Sequence, residues 1–280
     1  KKASELGIEV YLAEFSGMYM EDKGKDQLVY SFPVDDDGKV ELPGMKDDAE
    51  YDKPFRINPK NTLVMARGIG STVKTGNLSW RVACLNLESQ GYTLINPVIC
   101  HDICNDKWHN QIVFQQEDIR TPNTVLVRHS EGAEDAAERL GNKFPMILKT
   151  AVGSRGVGVI WIESLKSLHS IIQLLHREDE YVDILLQEYI KTDYDVRVII
   201  AAGQILGAIK RPVVGDDFRS NVSQGSEPQS HELTEREAQE SLRAAESVQG
   251  QVVGVDFIPA KNRDKESPYF IEVNSTPGLM

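Results

Sequence analysis

Apolar positions follow two rhythms along the chain. Short β-branched or alternating runs predict strands at residues 8–12, 62–65, 92–96, 145–149, 158–162, 184–190, 194–200, 205–211, 252–258 and 269–274. The runs at 194–200 and 205–211 flank Ala202-Gly203-Gln204, which predicts an antiparallel hairpin. A helical stripe of Leu78, Val82, Leu85 and Leu87 predicts a helix over 77–90 that stops at Gly91. A second helix spans 106–116, with Lys107 near its start. A third follows Ser164, with Leu165, Leu168, Ile171, Ile172 and Leu175 on one face. Thr234-x-x-Glu237 reads as a capping box opening a fourth helix to Gln249, with Leu242, Ala245 and Val248 inward. Strands alternating with helices predict a parallel sheet in the N-terminal part. Residues 18–59, rich in Asp, Lys, Gly and Pro, read as strands within a long irregular excursion.

Composition narrows the partners more than the fold. The 280 residues carry 31 Lys plus Arg against 43 Asp plus Glu, a formal net charge of −12. That balance argues against nonspecific binding to nucleic acid or an anionic membrane, each of which needs basic patches. No apolar run is long enough to span a bilayer and no leader-like apolar region follows Lys1 and Lys2. Three cysteines, Cys84, Cys100 and Cys104, do not make a disulfide framework and suit a reducing cytoplasm. The chain opens without Met in what reads as the middle of a helix, which sets the expectation that its natural N-terminus lies upstream.

Candidate chemistry concentrates toward the C-terminus. Side chains two apart on a strand share a face, so Glu272 and Asn274 point the same way, and Asp256 can join them from the neighbouring strand. Two carboxylates and an amide among apolar strands are costly to bury unpaired but suit a hard cation such as Mg²⁺ held against phosphate oxygens. Lys149 ends an apolar strand and is followed by Gly153-Ser154-Arg155-Gly156-Val157-Gly158. That glycine-rich loop can wrap backbone N–H groups around phosphate as a flap, because a strand rather than a helix follows it. Asp195 and Arg197 share a face, and Lys210, Arg211 and the polar loop Phe218-Arg219-Ser220-Asn221 extend this into an anion-binding wall facing the three oxygen donors. Cys100, His101, Cys104 and His109 are a candidate soft-metal cluster whose spacing matches no standard zinc pattern. Asp35-Asp36-Asp37-Gly38 reads as a solvated turn rather than a calcium loop.

The ordered succession of Lys149, the 153–158 loop, Gln187-Glu188-Tyr189-Ile190, Asp195-Val196-Arg197, Asp217-Phe218-Arg219-Ser220-Asn221, Gly254-Val255-Asp256 and Glu272-Val273-Asn274-Ser275-Thr276-Pro277-Gly278 resembles the ATP-grasp enzymes. Within them it is most similar to the RimK-type α-L-glutamate ligases, whose best-known activity adds glutamate to the C-terminus of a ribosomal protein. The resemblance covers residue 95 to the end well, 63–97 more loosely, and 1–60 not at all. It implies an α/β and α+β fold: an N-terminal pre-ATP-grasp α/β domain over 1–97, then a two-lobed ATP-grasp domain over 98–280. The smaller lobe would span 98–186 and the larger, with the metal site, 187–280.

ATP would lie between the lobes, with Lys107 and Lys149 on its phosphates and the flap of Gly153, Ser154, Arg155, Gly156 and Gly158 above them. Gln187, Glu188, Tyr189 and Ile190 would form the hinge, where backbone groups of Glu188 and Ile190 read adenine. Asp195 would join the nucleotide site. Asp256, Glu272 and Asn274 would hold two Mg²⁺ ions, for which Mn²⁺ is an acceptable substitute. Arg211 would approach the transferred phosphoryl group, and Arg197, Arg219 and Asn221 would position substrate or metal-bound phosphate.

The activity so implied is a cytoplasmic carboxylate–amine ligation through an acyl phosphate, joining an amino acid, glutamate favoured, to a carboxylate acceptor such as a protein C-terminus. Alternatives are another ATP-grasp branch making a dipeptide, glutathione-like or coenzyme conjugate, or a nucleotide-binding protein without catalysis. Nucleic acid and membrane are not expected partners, and relatives of this kind are usually homo-oligomers.

Overall fold

The computed structural model describes residues 5–8, 10, 19–23, 26–30, 55–67, 78–152, 158–178, 182–213 and 227–278. The chain divides into two compact units, residues 1–65 with 79–94, and residues 66–78 with 95–280.

In the first unit β1 (Tyr19–Lys23), β2 (Asp26–Tyr30) and β3 (Phe55–Ile57) form a sheet in that order. Both pairings are antiparallel. Only residues 24 and 25 separate β1 from β2, and so short a connection permits no parallel crossover. A separate strand pair joins β4 (Leu63–Met65) to β5 (Thr93–Ile95), and α1 (Leu78–Ser89) lies between them in sequence. Helix α1 buries Cys84 and Leu87, while Val82 and Leu85 of the predicted stripe stay exposed. The Tyr92 hydroxyl donates to the Ile57 carbonyl at 2.9 Å, tying the residue before β5 to β3.

The second unit begins with two helices, α2 (Val98–Asn105) and α3 (Lys107–Gln116). Asp106 separates them and caps α3, its Oδ1 accepting from the backbone N–H of Trp108 at 2.8 Å and of His109 at 3.1 Å. Two all-antiparallel sheets follow. The first has the order β6–β9–β7–β8, built from β6 (Thr124–Val127), β7 (Met146–Thr150), β8 (Val159–Ile162) and β9 (Ile184–Glu188). Its core joins Met146, Leu148, Ile162, Ile184 and Leu186 to the alanine face of α4 (Ala133–Arg139) and to Leu168 and Ile172 of α5 (Leu165–Glu178).

The second sheet has the order β12–β11–β10–β13–β14: β10 (Tyr194–Ala201), β11 (Gln204–Pro212), β12 (Gln229–Ser230), β13 (Val252–Ile258) and β14 (Tyr269–Asn274). The β10–β11 hairpin turns on Ala202 and Gly203, both with positive φ (48° and 72°), which matches the right-handed twist of the strands it joins. Helix α6 (Glu235–Ser247) starts with the predicted capping box: Thr234 accepts from the Glu237 backbone N–H, and Glu237 accepts from the Thr234 backbone N–H. Glu237 is buried, and Arg263 donates to both its carboxylate oxygens at 2.9 and 2.7 Å, tying α6 to the β13–β14 connection.

The inner face of this second sheet carries Val196, Val198, Ile200, Val253, Val255, Phe257 and Val273, all fully buried. Against it pack Ala244, Ala245 and Val248 from the α6 region, and Cys100, Ile103 and Phe114 from α2 and α3. Although α2 and α3 precede the first sheet in the chain, their apolar faces therefore complete the core of the second. Helices on one side leave the opposite face of β11–β10–β13–β14 available for polar residues.

Candidate active site

On that opposite face, cross-strand register assembles a charged row. Asp195 of β10 pairs with Arg211 of β11, Arg197 pairs with Asp256 of β13, and Asp256 pairs with Glu272 of β14. Gly254 faces Asn274 one step further on. Because Val196, Val198 and Ile200 occupy the inner face, alternation forces Asp195 and Arg197 outward. The same alternation corrects one member of the predicted anion wall. Lys210 pairs with Val196 and therefore sits on the helical side, its Nζ 5.8 Å from the Tyr194 ring centroid.

The row is knit by bidentate ion pairs. Arg197 donates from Nε and Nη2 to the two oxygens of Asp256 at 2.7 and 2.6 Å. Arg211 donates likewise to Asp195, both at 2.6 Å, and its Nη2 lies 3.1 Å from Asp256 Oδ2. Arg211 and Asp256 are each 3% exposed, so these charges depend on one another rather than on water. Burial alone would raise the Asp256 pKa, but Arg211 and Arg197 outweigh it and hold the carboxyl below its ordinary value. Burial opposes the charges on the two arginines as well, and Asp256 foremost, with Asp195 at Arg211, moves both upward.

Asn274 completes the predicted trio. Its side-chain nitrogen lies 3.4 Å from Asp256 Oδ2 and 3.2 Å from Glu272 Oε1, so one amide bridges both carboxylates. Three oxygen-bearing side chains thus converge within hydrogen-bond reach, and rotating the amide by half a turn presents its oxygen with theirs. Ionised carboxylates plus an amide oxygen are the donor set of a hard divalent cation, and the residues fit Mg²⁺.

Two lysines feel the charge of Glu272. Lys149, at the end of β7, donates from Nζ to Gln187 Oε1 at 2.8 Å. Gln187 in turn donates from Nε2 to Thr124 Oγ1 at 2.8 Å, and Thr124 donates to the Pro122 carbonyl at 2.9 Å. Desolvation pushes the Lys149 pKa down to about 8, with Glu272 opposing and Lys107 reinforcing the fall. Lys107, the first residue of α3, is also lowered by burial against the attraction of Glu272 and Asp106. Its backbone N–H donates to the Ala151 carbonyl at 2.9 Å, fastening the start of α3 to the end of β7.

The four residues expected to form a hinge differ in what they offer. The buried Gln187 spends its amide on Lys149 and Thr124, which makes it a support for the lysine. Glu188 is bound twice to Asn123: its backbone N–H donates to the Asn123 carbonyl at 2.9 Å, and its Oε1 accepts from the Asn123 N–H at 2.7 Å. Tyr189 meets Trp161 edge to face, with ring centroids 4.7 Å apart. Ile190 follows β9, outside the strand ladder.

Of the predicted flap, Gly158 alone is described; Gly153, Ser154, Arg155 and Gly156 lie outside the described residues, as do Arg219, Asn221 and the 35–38 turn. Gly158 has φ +82°, and a Cβ there would stand 2.6 Å from Thr150 Oγ1, so the root of the loop requires glycine.

The candidate soft-metal cluster is not assembled. Cys100 and Cys104 lie one turn apart, with sulfurs 3.9 Å apart, and no group of three or more His, Cys, Asp or Glu able to hold a metal occurs among the described residues. Both cysteines face the core of the second sheet, which spends them on packing. Several residues at the site carried no local signal. Thr124 and Asn123 act through β9, more than sixty positions away. Asn96 clamps the far end of the sheet, accepting from the backbone of Gln251 and Val252 and donating to the carbonyls of Val252 and Ser275.

Comparison with known proteins bears on the family and the fold. Residues 104–280 match the model of the RimK-like ATP-grasp domain. The chain is 33% identical over 176 residues to a probable alpha-L-glutamate ligase of Rhodopirellula baltica, an alignment covering 62% of this chain and 42% of that protein. It is 29% identical over 242 residues to a probable alpha-L-glutamate ligase of Histophilus somni, covering 84% and 78%. Among solved structures, a RimK-domain ATP-grasp protein from Sphaerobacter thermophilus superposes with a TM-score of 0.61 at 16% identity, covering 78% of this chain and 74% of that one, a likeness of fold. No helix among the described residues is long and apolar enough to cross a membrane.

Proposed function

The chain belongs to the RimK-like ATP-grasp family, and on that premise we propose that it is an ATP- and Mg²⁺-dependent carboxylate–amine ligase acting through an acyl phosphate. Glutamate is the favoured amino acid, in keeping with the relatives named probable alpha-L-glutamate ligases, and the acceptor is a carboxylate such as a peptide or protein C-terminus. The observation that carries this reading is the convergence of Asp256, Glu272 and Asn274 opposite Lys107 and Lys149. Anionic oxygen donors on one side and ammonium groups on the other form a receptacle for metal-bound polyphosphate.

In the proposed reaction an oxygen of the substrate carboxylate attacks the γ-phosphorus of ATP. A P–O bond forms, the bond to ADP breaks, and an acyl phosphate results. The amine of the second substrate then attacks the acyl carbon, a C–N bond forms, inorganic phosphate leaves and the amine loses a proton. Lys149 and Lys107 hold phosphate oxygens, and Arg211, kept charged by Asp195 and Asp256, faces the transferring phosphoryl group. Asp256, Glu272 and Asn274 would hold Mg²⁺, which would supply charge neutralisation at the phosphate oxygens. The protein contributes positioning and preorganised charge rather than a covalent nucleophile. Ile190 and the Glu188 carbonyl read the adenine at the hinge, with Tyr189 beside them.

A product screen tests this reading. Purified protein is incubated with ATP, Mg²⁺, single amino acids and peptides ending in glutamate, and ADP and amide products are followed by mass spectrometry. ADP release coupled to a new amide is expected. Absence of ADP in every combination, with Asp256→Ala indistinguishable from the native chain, would sink it.

A further inference from the structure

We propose that Arg67 anchors a carboxylate of the substrates, at the end of the charged row remote from the hinge, an inference that rests on the ligase reading above. The row has a direction. Residues 188–193 lead from the hinge into β10, so Asp195 and Arg211 stand nearest the hinge, Arg197, Asp256 and Glu272 come next, and Gly254 with Asn274 follow. Beyond Asn274 the chain turns back over the face. A Cβ built on Gly254 would lie 3.0 Å from Pro277 Cβ and 3.7 Å from both Cδ and Nε of Arg197, so Pro277 sits directly above the glycine and beside the arginine.

Arg67 is docked onto that turn. Its Nη2 donates to the Pro277 carbonyl at 3.0 Å. The backbone beneath it is held, since buried Ala66 donates its N–H to the Ile95 carbonyl at 3.0 Å, and the next residue, Asn96, donates to the Ser275 carbonyl at 2.7 Å. A guanidinium has five N–H donors. Among the described residues Pro277 accepts from Arg67 alone of its neighbours' guanidinium groups, and the Arg67 residue itself is exposed with no carboxylate paired to it. One bond to a carbonyl uses one of those donors and leaves the others for a ligand at this end of the row. A guanidinium fork docked on the turn that covers the Gly254–Asn274 end of the row suits a carboxylate, which it can bind through two parallel bonds. With adenine at the hinge and phosphates over the trio, the carboxylate-bearing substrates lie at this end.

The test uses calorimetry on the whole chain loaded with Mg²⁺ and AMPPNP, with free L-glutamate and a peptide ending in glutamate as separate titrants. The two arms tell whether the anchored carboxylate belongs to the amino acid or to the acceptor. Arg67→Ala should weaken at least one titrant by about tenfold or more, Arg67→Lys should recover part of the loss, and AMPPNP affinity should stay within about twofold. Equal carboxylate affinity in native and Arg67→Ala chains, or no binding of either titrant to the AMPPNP-loaded native chain, overturns the inference. A parallel loss of AMPPNP affinity in Arg67→Ala also overturns it, in favour of a role confined to holding the turn. Failure of AMPPNP to bind the native chain strikes the ligase reading itself.

Discussion

The sheet β6–β9–β7–β8 sends one ammonium group, Lys149, into the site, on a strand whose preceding residues Met146, Ile147 and Leu148 are buried, and supports it with the neutral amide of Gln187. The sheet β11–β10–β13–β14 gathers Arg211, Asp195, Arg197, Asp256 and Glu272 on one face, and pairs the two arginines with the two aspartates. In the first sheet the charge keeps its proton weakly, because desolvation is met by a dipole and not by a bonded counter-ion. In the second, reciprocal pairing holds Arg197, Arg211 and Asp256 charged. A cation made labile by burial and an anion made permanent by pairing are suited to different tasks: the one gains a partner when phosphate arrives, the other stands ready for a metal.

Removing the anion should have the largest effect. Asp256→Ala takes a counter-ion from the buried Arg211 and the half-buried Arg197, a loss of about 3–5 kcal/mol by the behaviour of broken buried pairs, together with loss of ADP release. Urea unfolding and an ADP assay read the two effects. Stability equal to the native chain would mean that the network is not mutually dependent.

A smaller and more diagnostic effect concerns Lys149. Its ammonium is lost as pH rises through about 8, so kcat/KM for ATP should decline above that pH, and Lys149→Arg should move the decline to well above pH 10. The effect on stability has the opposite direction. Between about pH 8 and the ordinary lysine value near 10.4, the unfolded chain binds a proton that the native chain has released, so the contribution of this group to stability rises with pH. A flat kcat/KM profile from pH 7 to 10 would remove the contrast between the two sheets.

The smallest effect lies at the root of the flap. Gly158→Ala forces a side chain into a left-handed backbone conformation and against Thr150 Oγ1, at a cost of about 1–2 kcal/mol in thermal unfolding. An unchanged melting temperature would show that Thr150 and the loop root yield freely.

Much of this site was legible because strand periodicity needs no tertiary information. Once residues 194–200 and 269–274 read as strands, Asp195 shares a face with Arg197 and Glu272 with Asn274. The capping box at Thr234 and Glu237 and the turn at Ala202-Gly203 were equally local. Lys210 adjoins Arg211 in sequence, yet alternation turns it to the helical side, because it pairs with Val196 while Arg211 pairs with Asp195.

By itself, then, the sequence determined which residues could share a surface, since side-chain direction along a strand follows from backbone geometry alone. Only the tertiary structure decided what each residue does there. Gln187 supports a lysine because Thr124 and Lys149 flank it across neighbouring strands, Asp256 is clamped by two arginines because three strands fall into one register, and Arg67 reaches Pro277 across 210 positions of chain. Contacts at such separations depend on how strands and loops are brought together, and no periodic pattern within one segment encodes them.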